Sequence, residues 1–391
     1  MSKLKAYFSY PKFKAPPYRL LFIFNDYYLQ QASIGALKQM GHQVKVIHLQ
    51  KDARQMLDTL LKTSVVFRPD AIIGMNHVGM DSEGVIPQTL SELGIPIIIW
   101  YLDDFRFLIP DPRALATPLT IIFTFEKTHV PLLNQIGFTH VFYLPSASAF
   151  NPYNNYRLQY PQFRFLNNAI TFVGTTFDFT RKKLEQPQFE SYYQEFIQTY
   201  PLTTHSPNLM NELQKQQYRF FDNPALFYEY CGYVIARSTE AYRLHFLRNI
   251  QEHPFYVVGD RRWLSLGVPA QYLPPTLYET ETPAVYAHSQ INLNLSSLQL
   301  ATTVSLRPFD VSAAGGFLIS DYTESLYELF EPDEIPSFRT VDEMNDLIAY
   351  YRNHPTQREA MAHKARQKVI ERHQIQHRMQ TILDTAKRVL Q

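Results

Sequence analysis

The strongest constraint on this chain is a twice-repeated alternation of short apolar runs with amphipathic stretches of helical length. The apolar runs are rich in β-branched and aromatic residues, a composition typical of parallel strands that helices cover on both faces. The first series includes runs at 20–24 and 95–101, and the second includes runs at 170–173 and 291–295. The pattern therefore predicts two doubly wound α/β domains.

The length of 391 residues also suits two domains, since single cores seldom grow that large. A polar, aromatic stretch without hydrophobic period separates the two series and is interpreted as a linker. A helical insertion is predicted at about 188–250, and plain helical packing is favoured for it over covering a cleft or binding a partner. The predicted divisions are an N-terminal extension at 1–17, a first Rossmann-like domain at 18–150, a linker at 151–168, a second Rossmann-like domain at 169–355 with a helical insertion at about 188–250, and C-terminal helices at 356–391, for which packing back on the first domain is one option.

Charge and cysteine content exclude several classes of protein. Thirty-seven Lys and Arg oppose 36 Asp and Glu, so no overall field attracts nucleic acid or an anionic membrane, although a local basic pocket stays open. Cys231 is the sole cysteine, which excludes an intrachain disulfide and a CxxC site. The longest clean apolar run, 95–102, is far shorter than the roughly 20 residues that span a bilayer. The sequence predicts a cytoplasmic protein without a transmembrane segment or a nucleic-acid partner.

Common catalytic motifs are also missing from the sequence. There is no GxG, Gly-Lys pair, GxSxG or HExxH, which disfavours a dehydrogenase or a nucleoside triphosphatase. The 13 histidines show no paired ligand spacing, so no metal site is predicted.

Ligands of open α/β sheets collect beyond the carboxyl ends of the strands, so the residues there are the first candidates. In the second domain, Arg307 offers a planar fork for phosphate and Asp310 offers two acceptor oxygens for a vicinal diol such as ribose. Ordinary structural roles stay open for each, namely a surface charge, a helix-dipole partner or core packing. The full set of ligand-binding candidates is Gly174, Thr175, Arg181, Gly259, Arg261, Tyr286, Asn292, Arg307, Asp310, Gly315 and Gly316.

In the first domain, polar residues that follow strands include His77, Asp103 and Asp104. Each is a candidate to accept a proton from an attacking hydroxyl, a task that needs a positioned base of tunable pKa. A satisfied histidine or a helix-capping aspartate is the alternative for each residue.

Four segments of the second half resemble the CgeB/YkvP-like group 1 glycosyltransferases. They are FVGTTFDFTRKKL at 172–184, VVGDRRW at 257–263, YAHSQINLNL at 286–295 and LRPFDVSAAGGFLISDY at 306–322. With the closing helices, the resemblance covers most of 170–380, whereas the first domain matches in pattern alone. The chain departs from the family at Asp310, where glutamate is usual, and at Gln290, which replaces the lysine of an SKI motif and removes a cation.

The resemblance implies the GT-B fold, with two Rossmann-like domains that face a cleft. It implies transfer of a sugar from a nucleotide diphosphate sugar to a hydroxyl of an unidentified glycan, protein or small molecule, without a cofactor or a metal. Arg307, Arg181 and backbone N–H groups would stabilise the leaving diphosphate, and the first domain would hold the acceptor. An inverting reaction would need a base, whereas a retaining one would not. A catalytically inactive scaffold that binds a sugar nucleotide or a glycan is the alternative.

Overall fold

The computed structural model describes residues 2–109, 111–200 and 209–391, and these residues form two compact units. The first unit contains the chain up to Ser146 together with Ile375–Gln391, and the second contains Ala147–Gln374. Each unit has its own six-stranded sheet.

The sheet of the first unit is entirely parallel. Its strands are β1 (Arg19–Phe24), β2 (Gln43–His48), β3 (Ala71–Met75), β4 (Ile97–Tyr101), β5 (Thr120–Thr124) and β6 (His140–Tyr143). Its helices in this part of the chain are α1 (Ser2–Tyr7), α2 (Gln30–Gln39), α3 (Ala53–Phe67), α4 (Val85–Glu92), α5 (Phe105–Leu108) and α6 (His129–Ile136). The strand order is β2-β1-β3-β4-β5-β6, so the winding direction reverses between β1 and β3.

Burial explains why the apolar runs form these strands. Every residue of β3, β4 and β5 is buried, as expected for central strands with helices on both faces, whereas the edge strands β2 and β6 are mostly half-buried or exposed.

The segment predicted as an N-terminal extension packs on the first unit. Phe8 and Phe13 are buried, and the Phe13 N–H donates to Asp70 Oδ1 at 2.9 Å. The other Asp70 oxygen accepts from Arg19 N–H at the start of β1, at 2.8 Å. The Asp70 carboxylate therefore fixes this segment to the amino end of β1.

The second unit has a second parallel sheet. Its strands are β7 (Ile170–Val173), β8 (Phe255–Val258), β9 (Gln271–Leu273), β10 (Ile291–Asn294), β11 (Leu318–Asp321) and β12 (Ser337–Phe338). Its helices are α7 (Tyr156–Gln159), α8 (Asp178–Leu184), α9 (Phe189–Thr199), α10 (Leu209–Gln217), α11 (Pro224–Leu247), α12 (Thr282–His288), α13 (Arg307–Ala313), α14 (Leu326–Leu329), α15 (Val341–Asn353) and α16 (Pro355–Arg372). The order β12-β11-β10-β7-β8-β9 is the Rossmann order, which reverses direction between β7 and β10.

Helices α9, α10 and α11 occupy the predicted insertion, of which residues 201–208 lie outside the described chain. They pack through aromatic rings, with Phe189 5.2 Å from Tyr230 between ring centroids and Phe221 5.1 Å from Tyr230. Such ring contacts add stability beyond their buried area.

The predicted fold class, two Rossmann-like α/β domains with a helical insertion and a helical tail, is confirmed. The C-terminal helices divide between the units, because α16 belongs to the second unit and the last helix, α17 (Ile375–Leu390), belongs to the first. Within the described ranges, no helix combines the length and apolarity needed to cross a membrane.

Helix α17 is fixed to the first unit by apolar and polar contacts. Ile382 and Leu383 are fully buried, and α17 packs against α2. The Arg378 Nε donates to the carbonyl oxygen of Pro145 at 2.8 Å, at the end of the first unit's main segment.

We expect Ile382→Ala to lower the free energy of unfolding of the first unit by about 2–5 kcal/mol, because it leaves a cavity under α17. The chain has two tryptophans, and Trp100 lies in β4, so its fluorescence in a Trp263→Phe background reports this unit during urea unfolding. The matched control is Asp384→Ala on the exposed face of α17, which should change stability by less than about 0.5 kcal/mol. Equal effects of the two substitutions would contradict the docking of α17.

Candidate functional site

Arg307 lies at the point where the second sheet reverses direction. Its Nε donates to the carbonyl oxygen of Val173, the last residue of β7, at 2.6 Å. Its Nη1 donates to Asn294 Oδ1, at the end of β10, at 2.7 Å. The half-buried guanidinium thus joins the carboxyl ends of the two strands that flank the reversal, where ligands of this fold class bind.

A second arginine lies next to Arg307. Arg243, from α11, is 3% exposed and donates to the carbonyl oxygens of Thr175 and Leu295. The guanidinium carbons of Arg243 and Arg307 lie 5.4 Å and 5.3 Å from the centroid of the Phe172 ring. Burial, and next the charge of Arg307, lower the pKa of Arg243 to about 9. Neither arginine forms an ion pair with a carboxylate of the described chain, so this place favours an anion.

Two glycines let the backbone approach closely here. A Cβ atom on Gly174 would lie 2.8 Å from Arg307 Nη2, so a side chain at this position would displace the guanidinium. A Cβ atom on Gly259 would lie 2.1 Å from the Gly174 carbonyl oxygen, which also accepts a hydrogen bond from Trp263 Nε1 at 2.8 Å. Gly174 and Gly259, both predicted from the sequence, thus shape the seat of Arg307.

Asp310 is buried, at 2% exposed, and both of its oxygens have partners. Oδ1 accepts from Ser148 Oγ at 2.7 Å, and Oδ2 accepts from Tyr278 OH at 2.8 Å. Burial raises the pKa of Asp310 to about 7, against the lowering effects of Ser148, Tyr278 and Arg307. These contacts favour a structural role over the predicted ribose contact, because a diol would have to replace the two hydroxyl groups.

Three other predicted residues, Arg181, Arg261 and Thr175, have different surroundings. Arg181 is paired with Asp178 at 2.8 Å and with Glu185 at 3.6 Å, so neighbouring carboxylates already offset the charge predicted to face a diphosphate. Arg261 is exposed in the turn after β8, a position open to a ligand. Thr175 contributes its carbonyl oxygen to Arg243.

Tyr286 and Asn292 are both buried in the second unit. Arg307 donates a hydrogen bond to the hydroxyl of Tyr286. Burial raises the pKa of this phenol above its usual range. Asn292 Nδ2 donates to the carbonyl oxygens of Tyr286 and Phe317, which makes it a structural link inside the sheet.

Gly315 and Gly316 join α13 to β11. Gly315 has a φ of 79°, in the left-handed region that favours glycine. A Cβ atom on Gly316 would lie 2.5 Å from the Tyr286 carbonyl oxygen. The two glycines therefore close the turn, and the described contacts assign them no ligand.

Gln290 does not belong to the carboxyl-end site. It directly precedes β10, which places it at the amino end of that strand, on the opposite edge of the sheet from Arg307. The lysine expected from the resemblance would therefore stand far along the strand from the phosphate site, and its absence removes no cation there.

The first unit collects polar groups at its own reversal point. Asn76, after β3, donates from Nδ2 to Asp103 Oδ2 at 2.9 Å, and Tyr27 OH, after β1, donates to the same oxygen. Asp26, Asn76 and His77 all have positive φ angles of 45–63°. Such strained backbone often marks a functional site. Asp103 is half-buried beside these groups.

His77 is 9% exposed, and its Nδ1 lies 3.1 Å from Tyr101 OH. Burial lowers the pKa of His77 to about 4, so the ring is neutral near pH 7. At that pKa the imidazole is about as basic as an ordinary carboxylate, so the difference from Asp103 lies in burial, since His77 is buried and Asp103 is half-buried.

Asp104 differs from Asp103 because it is buried in an ion pair. Its Oδ1 caps α5 by accepting from Arg106 N–H at 3.0 Å and also accepts from Arg106 Nε at 2.8 Å. Burial alone would raise its pKa, but Arg106 and His129 hold the pKa of Asp104 well below its usual range. The helix-capping alternative is thus favoured for Asp104 over its role as a base.

Sequence reasoning missed Arg243 and Tyr27. Arg243 lies on a buried stripe of α11 that includes Ala236, Thr239 and Phe246, and a charge on such a stripe is a usable signal. Tyr27 carries no comparable signal, because its role depends on the order of β1, β3 and β4 in the sheet. In the described ranges, no group of three or more His, Cys, Asp or Glu side chains is placed to hold a metal ion.

The comparisons with known proteins concern one family match and the shared fold. A family model described as glycosyl transferase-like matches residues 239–384, which include Arg243, Arg307 and Asp310. The match spans less than half of the chain. No curated protein matches the sequence.

Solved structures resemble the chain over almost its full length. Sucrose-phosphate synthase from Thermosynechococcus elongatus has a TM-score of 0.56 at 10% identity, covering 93% of this chain and 97% of that one. Anabaena HepE in complex with UDP-glucose has a TM-score of 0.54 at 11% identity, covering 94% and 99%. A UDP-forming α,α-trehalose-phosphate synthase from Burkholderia vietnamiensis has a TM-score of 0.53 at 12% identity, covering 95% and 100%. At such identities the likeness shows the shared fold.

The pKa of Asp310 predicts how the stability of the second unit depends on pH. Because the folded state raises this pKa from 3.8 to about 7, the folded protein holds a proton that the unfolded chain releases, and the free energy of unfolding falls as pH rises between these values. Asp310→Asn removes this dependence, worth up to about 1.4 kcal/mol per pH unit. Urea unfolding from pH 4.5 to 7.5, followed by Trp263 in a Trp100→Phe background, measures the difference. The control is Asp346→Asn, at an exposed residue of α15. If the free energy of unfolding varied with pH in parallel for wild type and Asp310→Asn, the raised pKa of Asp310 would be contradicted.

Proposed function

We propose that the protein is a glycosyltransferase that moves a sugar from a nucleoside diphosphate sugar to a hydroxyl group of an acceptor. The observation that carries this proposal is the pair Arg307 and Arg243 at the reversal point of the second sheet, where two cations lack a carboxylate partner among the described residues. A diphosphate supplies the negative charge that such a pair favours. The family match to 239–384 and the shared fold support the same reaction class.

In this reaction the acceptor oxygen forms a bond to the anomeric carbon while the bond from that carbon to the diphosphate oxygen breaks. The electron pair of the broken bond leaves on the nucleoside diphosphate, and the acceptor proton passes to a base or to the departing phosphate. Arg307 is the group of this chain that would stabilise the charge as it develops, since its orientation is fixed in advance by Val173 and Asn294. Metal independence and membership in the CgeB-like group stay predictions.

UDP is the first nucleotide to test, because HepE and the trehalose-phosphate synthase bind or form it. The acceptor-side role is assigned to the first unit, with Asp103 as the candidate base. Tyr27 and Asn76 orient its carboxylate, and the residue is half-buried.

A second candidate function is a catalytically inactive protein that binds a sugar nucleotide. The specific observation in its favour is Asp310, whose two oxygens bond to Ser148 and Tyr278 instead of facing open space. This candidate predicts nucleotide binding without release of a nucleoside diphosphate from its sugar conjugate.

Arg307→Gln should weaken UDP binding at least tenfold, because a charge-assisted phosphate contact is worth about 1.5–3 kcal/mol. Calorimetric titration with UDP, GDP, ADP and dTDP measures the affinity, and thermal unfolding checks that the variant is folded. Arg219→Gln, at an exposed arginine of the insertion, is the matched control and should bind as wild type does. Failure of all four nucleotides to bind, or equal binding by Arg307→Gln, would contradict the donor site.

Asp103→Asn should lower turnover at least tenfold and change the affinity for UDP less than twofold, because the carboxylate acts on the acceptor proton. Turnover is the release of UDP from UDP-glucose in the presence of cell extract as the acceptor source, followed by mass spectrometry. Asp26→Asn is the control, since Asp26 is an exposed aspartate near the same strand ends and asparagine tolerates its positive φ. Unchanged turnover in Asp103→Asn would remove this residue from the reaction, and binding without any UDP release in wild type would favour the inactive candidate.

A further inference from the structure

The second unit has a cavity of about 590 Å³ on the sheet edge opposite to Arg307. Asn167, Gln290 and Phe317 line it, and they precede the adjacent strands β7, β10 and β11. The segment around Arg157 and one face of α16 complete the wall. A cavity of this size falls within the usual range for small-molecule sites.

Three arginines give the cavity its charge. Arg358 and Arg366 are two helical turns apart on the same face of α16, and Arg157 comes from α7. The acidic residue in the wall is Glu359, and among the described residues none of the three arginines forms an ion pair with a carboxylate. The wall therefore has an excess of positive charge.

Backbone carbonyl groups hold these arginines in place. Arg157 Nε donates to Ala287 O at 2.7 Å, Arg358 Nη1 donates to Tyr351 O at 2.5 Å, and Arg366 Nη2 donates to Pro152 O. Carbonyl groups orient a guanidinium but do not neutralise it. The guanidinium groups are thus positioned before any ligand arrives, which reduces the entropy cost of binding.

Two buried atoms in the wall have no hydrogen-bond partner in the described chain, namely Arg366 Nε and Gln290 Oε1. The first needs an acceptor and the second needs a donor. Both atoms are shielded from solvent, so the cavity presents other groups to a ligand, namely the guanidinium groups and the side-chain amides of Asn155 and Asn167. A ligand that combines an anionic group with hydroxyl groups suits such a wall.

We propose that this cavity binds a small organic phosphate that carries hydroxyl groups, of the size of a sugar phosphate. The phosphate lies against Arg358 and Arg366, and the hydroxyl groups lie toward Gln290 and the asparagine amides. The site is separate from the carboxyl-end site, so it does not depend on the proposed transferase activity.

Calorimetric titration of the full chain with glucose 6-phosphate, inorganic phosphate and glucose tests the ligand class. We expect glucose 6-phosphate to bind at least tenfold more tightly than either of the other two probes, because it alone satisfies both parts of the wall. Absence of glucose 6-phosphate binding, or equal binding of inorganic phosphate, would overturn the proposal.

Gln290→Glu tests the location with nearly the same side-chain shape, because it adds a negative charge to the wall. It should weaken glucose 6-phosphate binding at least tenfold, as should Arg358→Gln. Lys364→Gln is the matched control, since Lys364 lies on α16 outside the cavity wall and pairs with Asp333. Wild-type affinity in Gln290→Glu, or an equal loss in Lys364→Gln, would overturn the proposal. UDP binding should be unchanged in Gln290→Glu, which separates this test from the donor site.

Discussion

The organisation of the second unit depends on holding two guanidinium groups against one phenylalanine ring. Burying a cation is costly unless other groups compensate, and carbonyl oxygens at the ends of β7 and β10 provide that compensation for Arg243 and Arg307. The arrangement requires glycine at 174, since any side chain would occupy the space of the Arg307 guanidinium. Asp321 and Asp260 act on Arg243 without forming an ion pair with it, and the positive charge that remains is what an anionic ligand would meet.

Asp310 shows how the chain uses a buried carboxylate in the same region. It joins α13 to Ser148 at the beginning of the second unit and to Tyr278 before α12. Since its two partners are neutral hydroxyl groups, they only partly offset the cost of burying its charge, and the pKa stays near neutrality. Asp310 thus joins three distant segments at the first turn of α13, the turn that begins with Arg307.

The fold could be predicted from the sequence because continuous apolar runs report burial on both faces, as in β3, β4 and β5. The order of the strands could not be predicted, because the sequence does not show which strands lie next to each other in the sheet. For that reason the sequence indicated Arg307 and Gly174 but missed Tyr27, whose role depends on the order of β1, β3 and β4. Arg243 did carry a signal, as a charge on a buried stripe of α11. The sequence also associated Gln290 with the phosphate site, although a residue before a strand and a residue after it lie on opposite sheet edges.

The net charge of the chain does not show which of its cations are paired with carboxylates. The sum of +1 counts 37 basic and 36 acidic residues wherever they lie, and some of them form ion pairs, as Asp178 does with Arg181 and Asp333 with Lys364. Arg307 at one edge of the second sheet and Arg366 at the other are instead held by carbonyl groups, which orient a guanidinium without neutralising it. Dipoles therefore orient these two guanidinium groups without a direct ion pair, and each retains a positive charge whose place the overall composition does not reveal.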